Sequence, residues 1–178
     1  MPAKDYIASA AIGGPAMSGI EIIGARGVVD DPAALLLRLR SLRGGGALVL
    51  DADLVCGREH LESAVEHALR SFQRGTNSAN DIMMETMLFA SGERQIAKAR
   101  EKMSLGKGGD RVALVLFGAS KEDALEAAGL EEDASVLDCT PEKLSRFGIG
   151  AEEMRAVDEG KARDLALERV AFVEILKR

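Results

Sequence analysis

The stretch RVALVLF at residues 111–117 decides the fold class of this chain. Its apolar residues are continuous rather than alternating, which is typical of a strand buried on both faces in the middle of a sheet. Residues 47–50 form a second short apolar run between glycines and Asp51, and they predict another buried strand. Residues 20–29 are rich in β-branched side chains and interrupted by glycines, so they predict a strand with a bulge or bend.

Apolar residues at helical spacing predict the helices between and after these strands. The predicted helix over residues 58–73 has one apolar face, whereas the helix that begins at Asp81 is apolar nearly all round and should be central. The other predicted helices cover residues 32–42, 93–103 and 121–128, a segment that starts at Thr140, and a last segment from about residue 161. Residues 135–138 are predicted as a short strand, and the tail at 172–176 is left open as helix or strand.

This alternation of strands and helices predicts an α/β domain, with α+β left open. We expect one compact domain over residues 19–178, in which a central mixed sheet is flanked by helices. Residues 1–18 are rich in Ala, Gly and Ser and contain two prolines, so they are expected to form a weakly packed extension. The chain has 178 residues, 47% of them apolar, which is enough to build a core without metals or disulfides.

Composition excludes several classes of protein. A net charge of −6 argues against a strongly basic nucleic-acid binder, so any such binding must come from a local patch. No apolar run approaches the roughly 18 to 20 residues of a membrane span, and no targeting segment is evident, so we expect a cytoplasmic protein without membrane contact. The two cysteines, Cys56 and Cys139, are far apart in sequence and are interpreted as reduced core residues rather than a bridge.

The sequence contains no recognisable catalytic, metal or cofactor motif. The glycines at 106–109 lack the spacing and the following Ser or Thr of a phosphate-binding loop. His60 and His67 lie two turns apart on one predicted helix, about 10 Å along its axis, which is too far for one metal ion. No cofactor or metal is therefore expected. The enzymatic alternative is a small α/β enzyme that uses His60 or His67 with a carboxylate.

Charge is distributed unevenly along the chain. Residues 94–111 contain six basic residues and two acids, whereas residues 121–159 contain four basic residues and twelve acids. The basic segment is a candidate surface for a polyanion such as RNA, and ordinary solvation of charged side chains is the alternative. Aromatic residues are only 3% of the chain, so RNA contact would depend on phosphates and a small pocket rather than on base stacking.

The order of the motifs resembles the kinase-binding subunit of the KEOPS (EKC) complex, in its archaeal form. The motifs are GARG at 24–27, DADLV at 51–55, NSANDIMMETMLFASGERQIAKA at 77–99 and LERVA at 167–171. Glu85 followed by SGERQI at 91–96 is the most specific part of this resemblance, which covers residue 19 to the end of the chain.

The resemblance implies a small α/β fold and a non-catalytic accessory role. Such subunits bind the small atypical kinase of the complex and join the machinery that makes threonylcarbamoyladenosine in tRNA. Archaeal members are also linked to binding of the tRNA 3′ CCA end. A homo-oligomer is not expected, although a self-associating domain that uses a C-terminal patch is left open.

Candidate site residues follow from the resemblance, with two lysines added from charge alone. The RNA-binding candidates are Asn80, Ser91, Arg94 and Gln95, together with Lys98 and Lys102. The kinase-binding candidates are Leu167, Val170, Ala171 and Glu174, which share one stripe at helical spacing.

Overall fold

Four strands form one sheet in the order β2-β3-β1-β4. They are β1 (Ile20–Val29), β2 (Gly46–Asp51), β3 (Gly109–Phe117) and β4 (Glu131–Glu132). The structure is a computed structural model that describes residues 19–158 and 160–176, so the predicted extension at 1–18 lies outside the described residues. The apolar run that predicted a central strand is confirmed, because β3 pairs on both sides and is buried from Val112 to Phe117.

The three strand pairings are all antiparallel, whereas the sequence predicted a mixed sheet. A helix that follows β1 and leads to β2 is an order typical of parallel neighbours. These two strands are not neighbours here, since β3 lies between them and runs antiparallel to both. The bulge predicted in β1 is confirmed by a shift in register between Arg26 and Val29.

Helices cover both faces of the sheet, which confirms the predicted α/β class and explains the continuous apolar run of β3. The helices are α1 (Pro32–Leu39), α2 (Arg58–Arg74), α3 (Ile82–Ser91), α4 (Ile96–Met103), α5 (Lys121–Ala128), α6 (Pro141–Phe147), α7 (Ala151–Ala156) and α8 (Asp164–Leu176). On one face Val115 and Phe117 pack in a core with α2, α3 and α8. On the other face Leu114 and Leu116 pack in a second core with α1 and α5.

Near the C-terminus, one segment differs from the sequence prediction, and another settles a choice that the sequence left open. Residues Ala134–Leu137 form a 3₁₀ helix rather than a strand, because the Asp133 side chain accepts a hydrogen bond from the Ser135 amide and starts a tight turn. The short strand β4 was not predicted. The last element, which periodicity left open, is helical through Leu176.

Candidate functional site

Helix α8 packs on α2 and α3 and leaves one side in solvent. Its buried side is formed by Leu165, Ala166, Val170 and Val173. Three large apolar side chains of α8 are exposed: Phe172, Ile175 and Leu176, at 51%, 60% and 39%. Exposed apolar groups of this size on one helix face are typical of a surface that binds a partner helix or groove.

The kinase-binding candidates divide between the two sides of α8. Ala171 is exposed and Leu167 is half-buried. Val170 is completely buried, so it is a core residue and not part of any surface. Glu174 is half-buried and accepts a hydrogen bond from Arg74 Nη1 at 2.7 Å, so it ties α8 to α2. Of the four candidates, only Ala171 is exposed.

Sequence reasoning missed Phe172 and Ile175. The signal was available, because the apolar residues of this segment cover more than one helical face. If only one face of such a helix packs in the core, some of its apolar residues remain exposed to solvent. Together with Glu168 and Ala171, these residues share one exposed face at spacings of three and four. We call the set Glu168, Ala171, Phe172 and Ile175 the α8 stripe.

The loop between α3 and α4 lies directly against α8. Gly92 ends α3 in the left-handed conformation with φ of 71°. A Cβ placed on Gly92 would lie 3.3 Å from the Arg169 Cβ, so this position accepts little more than a glycine. Ser91 is buried: its Oγ donates to the Leu88 carbonyl at 2.7 Å and accepts from the Glu93 amide at 3.1 Å. Ser91 therefore shapes the loop and is not exposed to RNA.

Lys102 holds the same loop from α4. Its ammonium donates to the Ser91 carbonyl at 2.7 Å and lies 3.9 Å from the centroid of the Phe147 ring. Burial lowers the pKa of Lys102 from its usual range. Lys102, a candidate from charge alone, thus binds the carbonyl of the last residue of α3 and packs over the Phe147 ring, rather than being fully exposed to solvent.

The remaining candidates near this loop, two of them basic, are exposed to solvent. Arg94, Gln95 and Lys98 are exposed next to one another on the loop and the first turn of α4. Within residues 19–158 and 160–176, neither Arg94 nor Lys98 forms a salt bridge or a side-chain hydrogen bond. Their charges are available for phosphate oxygens. We call Arg94, Gln95 and Lys98 the Arg94 surface.

Asn80 lies at the other end of α3. This ten-residue helix separates Asn80 from the Arg94 surface by about 15 Å. Asn80 is exposed, and the following residue, Asp81, caps α3 by accepting from the Met84 amide at 2.9 Å. Asp81 also accepts from Arg40 at 3.1 Å, so its carboxylate is already paired. The structure thus brings three of the six RNA candidates together and leaves Asn80 apart.

The loop that carries Asn80 is organised by a buried carboxylate. Glu85 is completely buried, and it accepts hydrogen bonds from Ser71 Oγ at 2.8 Å and from the amides of Ser78 at 3.0 Å and Ala79 at 2.8 Å. Glu85, which belongs to the most specific part of the resemblance, therefore has a structural role. Glu85 fixes the path of the chain before α3 and hence the placement of Asn80.

Comparison with known proteins identifies the family. The family model described as "Kinase binding protein CGI-121" matches residues 29–156. The chain belongs to the CGI-121 family. This match confirms the resemblance to the kinase-binding subunit of KEOPS that the sequence motifs predicted. No curated protein matches the chain.

The CGI-121 match contains the loop between α3 and α4 and ends at Ala156, before α8. The Arg94 surface therefore lies within the matched part of this CGI-121 member. The α8 stripe lies outside it, so the case for that stripe depends on its exposure and its packing alone.

The two histidines of this CGI-121 chain both lie on α2 and contact neighbouring helices. His60 is completely buried, its Nδ1 accepts from the Cys56 amide at 3.0 Å, and its Nε2 donates to the Ala90 carbonyl at 2.8 Å. Burial lowers the pKa of His60 to about 4, so the ring is neutral. His67 pairs with Glu174 at 3.2 Å and stacks on Phe89. Both rings serve packing between helices.

No group of three or more His, Cys, Asp or Glu side chains in residues 19–158 and 160–176 is placed to hold a metal ion. No helix in the same ranges is long and apolar enough to cross a membrane.

Proposed function

We propose that this CGI-121 member is a non-catalytic accessory subunit of KEOPS that binds the small atypical kinase and helps recruit tRNA for threonylcarbamoyladenosine formation. The α8 stripe would contact the kinase, and the Arg94 surface would contact the 3′ CCA end. The single observation that carries the proposal is the family match over residues 29–156. The archaeal type and the cytoplasmic location stay predictions from the sequence.

The kinase contact is supported by the chemistry of the α8 stripe. Phe172 and Ile175 present apolar area beside the carboxylate of Glu168 on a helix that the core already holds in place. A preformed helix face loses little conformational freedom on binding, and central aromatic residues dominate the energies of such interfaces. A kinase surface with an apolar groove and a basic rim would fit this stripe.

Phe172→Glu is expected to weaken binding to the kinase by about a hundredfold or more, because a charge replaces an apolar anchor at the interface. The measurement is calorimetric titration of the full chain with the purified kinase. The Tm of the variant should stay near that of the wild type, since the side chain is in solvent.

Leu37→Glu is the matched control for Phe172→Glu. Leu37 is 74% exposed on α1, which covers the opposite face of the sheet, so the same change in charge and polarity should leave kinase binding unaltered. Equal affinities for wild type and Phe172→Glu would remove α8 from the interface. Equal losses in both variants would show that net charge, not the stripe, governs binding.

The tRNA contact is supported by two exposed cations next to an amide, and neither cation has an ion-pair partner among the described residues. Arg94 and Gln95 end the loop, and Lys98 follows one turn later on α4. Guanidinium and amide groups in this arrangement can bind a phosphate and a base edge together. Because stacking aromatics are few, affinity should depend strongly on salt.

Arg94→Ala is expected to weaken tRNA binding and to reduce the slope of log affinity against log salt by about one. The measurement compares full-length tRNA with the same tRNA lacking CCA, at two salt concentrations. Arg38→Ala, at an exposed position on α1 without a salt bridge among the described residues, is the matched control. Equal binding of the two tRNAs, or an unchanged salt slope in Arg94→Ala, would contradict the proposed RNA role.

A further inference from the structure

A groove of about 480 Å³ follows the outer edge of β2. Helix α1 belongs to the core on one face of the sheet, and α3 belongs to the core on the other face. The groove is lined by both of these helices, by Ala47 and Leu48 of β2, and by Arg100 of α4. A space that touches helices from both faces and the outermost strand lies at the edge of the sheet.

Strand β2 offers backbone hydrogen-bonding groups to this groove. Within the described residues, β2 pairs only with β3. Every second N–H and C=O of such an edge strand points away from its neighbour and can pair with a further strand. Ala47 and Leu48 are only 1% and 4% exposed, so the walls rise above the strand edge. A single extended segment can reach this edge, whereas the sheet of a second folded copy would meet the walls first.

The walls are apolar, and an ion pair joins them at one end. Leu36 lies on the α1 wall and Met84 on the α3 wall, and a methionine side chain adapts its shape to what packs against it. Arg40, which follows α1, pairs with Asp81, which caps α3, at 3.1 Å. A Cβ on Gly46 would lie 2.8 Å from the Arg40 carbonyl oxygen, so this pair marks the start of β2.

Arg100 marks the other end of the groove. It lies in the last turn of α4, which leads into β3, and the first half of β3 pairs with the end of β2 through Val112 and Asp51. Arg100 is exposed and has no salt bridge or side-chain hydrogen bond within residues 19–158 and 160–176. An occupant with a carboxylate at this end would supply the missing partner.

The described chain begins at the end of the sheet where β2 starts. Ile20 and Gly46 both pair with Phe117, one from each side, so they lie about 10 Å apart. A new strand beside β2 would lie one strand spacing further out, about 14 Å from β1. Eighteen residues precede Gly19, and five extended residues already span about 16 Å. The N-terminal segment is therefore long enough to reach the groove and to follow it.

The sequence DYIASAAI at residues 5–12 matches the chemistry of the groove. Only its first residue is charged, and the others are apolar or small. In an extended segment Tyr6 and Ile12 would share one side and Ile7 would lie on the other, so both sides are apolar. A strand between two apolar walls requires this pattern, as β3 does between its two layers of helices.

We propose that residues 5–12 add to β2 as an antiparallel strand in this groove, with Asp5 paired to Arg100. The direction follows from the sheet, because β1 and β2 both run antiparallel to β3 and start at the same end. A segment traced backward from β1 along β2 is antiparallel to β2, and its first residues come to the Arg100 end. The segment would cover a strand edge and apolar walls that otherwise attract strands of other chains.

Tyr6 provides a direct readout, because the chain contains one tyrosine and no tryptophan. The test measures the fluorescence anisotropy of Tyr6 and its quenching by acrylamide in the full chain. Quenching is expected to be several-fold weaker than for N-acetyltyrosinamide and independent of protein concentration. Met84→Glu places a charge in the wall, so it should raise the quenching toward the value of the free amino acid derivative.

Exchange of charges tests the ion pair. Arg100→Asp and Asp5→Arg should each increase the quenching of Tyr6, and the double variant should restore the wild-type value. Arg155→Asp is the matched control, because Arg155 is exposed on α7, outside the groove, and has no salt bridge in the described chain. It should leave the quenching unchanged. Circular dichroism checks that each variant is folded.

Four results would overturn the proposal. Quenching of wild-type Tyr6 equal to that of N-acetyltyrosinamide would show that the segment leaves the groove open to another chain. Shielding that Met84→Glu does not change would place the segment on a different surface. Shielding lost on dilution would make the occupant a second copy of the chain. A double variant that stays as quenched as Arg100→Asp would refute the pairing of Asp5 with Arg100.

Discussion

Glu85→Ala is expected to lower the free energy of unfolding by about 3 kcal/mol or more. The substitution removes the acceptor for Ser71 Oγ and for the amides of Ser78 and Ala79, of which Ser71 and Ala79 are buried. Each donor left without a partner keeps its desolvation penalty, and a cavity adds to the loss. Denaturant unfolding followed by circular dichroism measures the difference.

Glu126→Ala is the matched control for Glu85→Ala. Glu126 is exposed on α5 and has no side-chain hydrogen bond within the described residues, so its loss should change stability by less than about 0.5 kcal/mol. Glu85→Gln, which keeps the volume, should fall between the two. If Glu85→Ala and Glu126→Ala unfold at the same denaturant concentration, the buried carboxylate does not organise the loop.

Val170→Glu should be at least as damaging, at about 4 kcal/mol or more. Val170 is completely buried where α8 packs on α2 and α3. A carboxylate there must either be buried without a partner or detach α8. Thermal unfolding should show a large fall in Tm or loss of the cooperative transition.

Ala171→Glu provides the comparison on the same helix. Ala171 is the adjacent residue and is exposed, so the identical charge should leave Tm nearly unchanged. The pair of variants separates the core side of α8 from its stripe. A stable, cooperative Val170→Glu variant would mean that α8 is not held on the domain as the structure shows.

Local patterns were sufficient for most elements of the fold. The run 111–117 predicted a central strand because a strand covered on both faces has no polar side to display. Asp81 and Thr140 predicted helix starts because their side chains accept backbone hydrogen bonds within the next turn. The order of strands in the sheet was not predictable in this way, since pairing joins segments that share no local signal.

For the candidate site as well, local patterns predicted some features and not others. Charge and family motifs found Arg94 and Lys98, which are exposed and unpaired within the described chain. They also selected Lys102. Its partners, the Ser91 carbonyl and the Phe147 ring, belong to other elements, so the spacing of residues in the sequence does not reveal them. Helical periodicity placed Val170 on a stripe but carried no information about which stripe faces α2.

The sheet order also constrains how the chain can fold as it is synthesised. Strands β1 and β2 do not pair with each other, and each finds its main partner in β3, which comes much later in the sequence. At about 5–20 residues per second, the ribosome needs on the order of several seconds between completing β2 and completing β3. During that interval two apolar segments have open edges and no sheet to join. We therefore expect a nascent chain that stalls before residue 109 to aggregate more readily than one that stalls after residue 117, where β3 is complete.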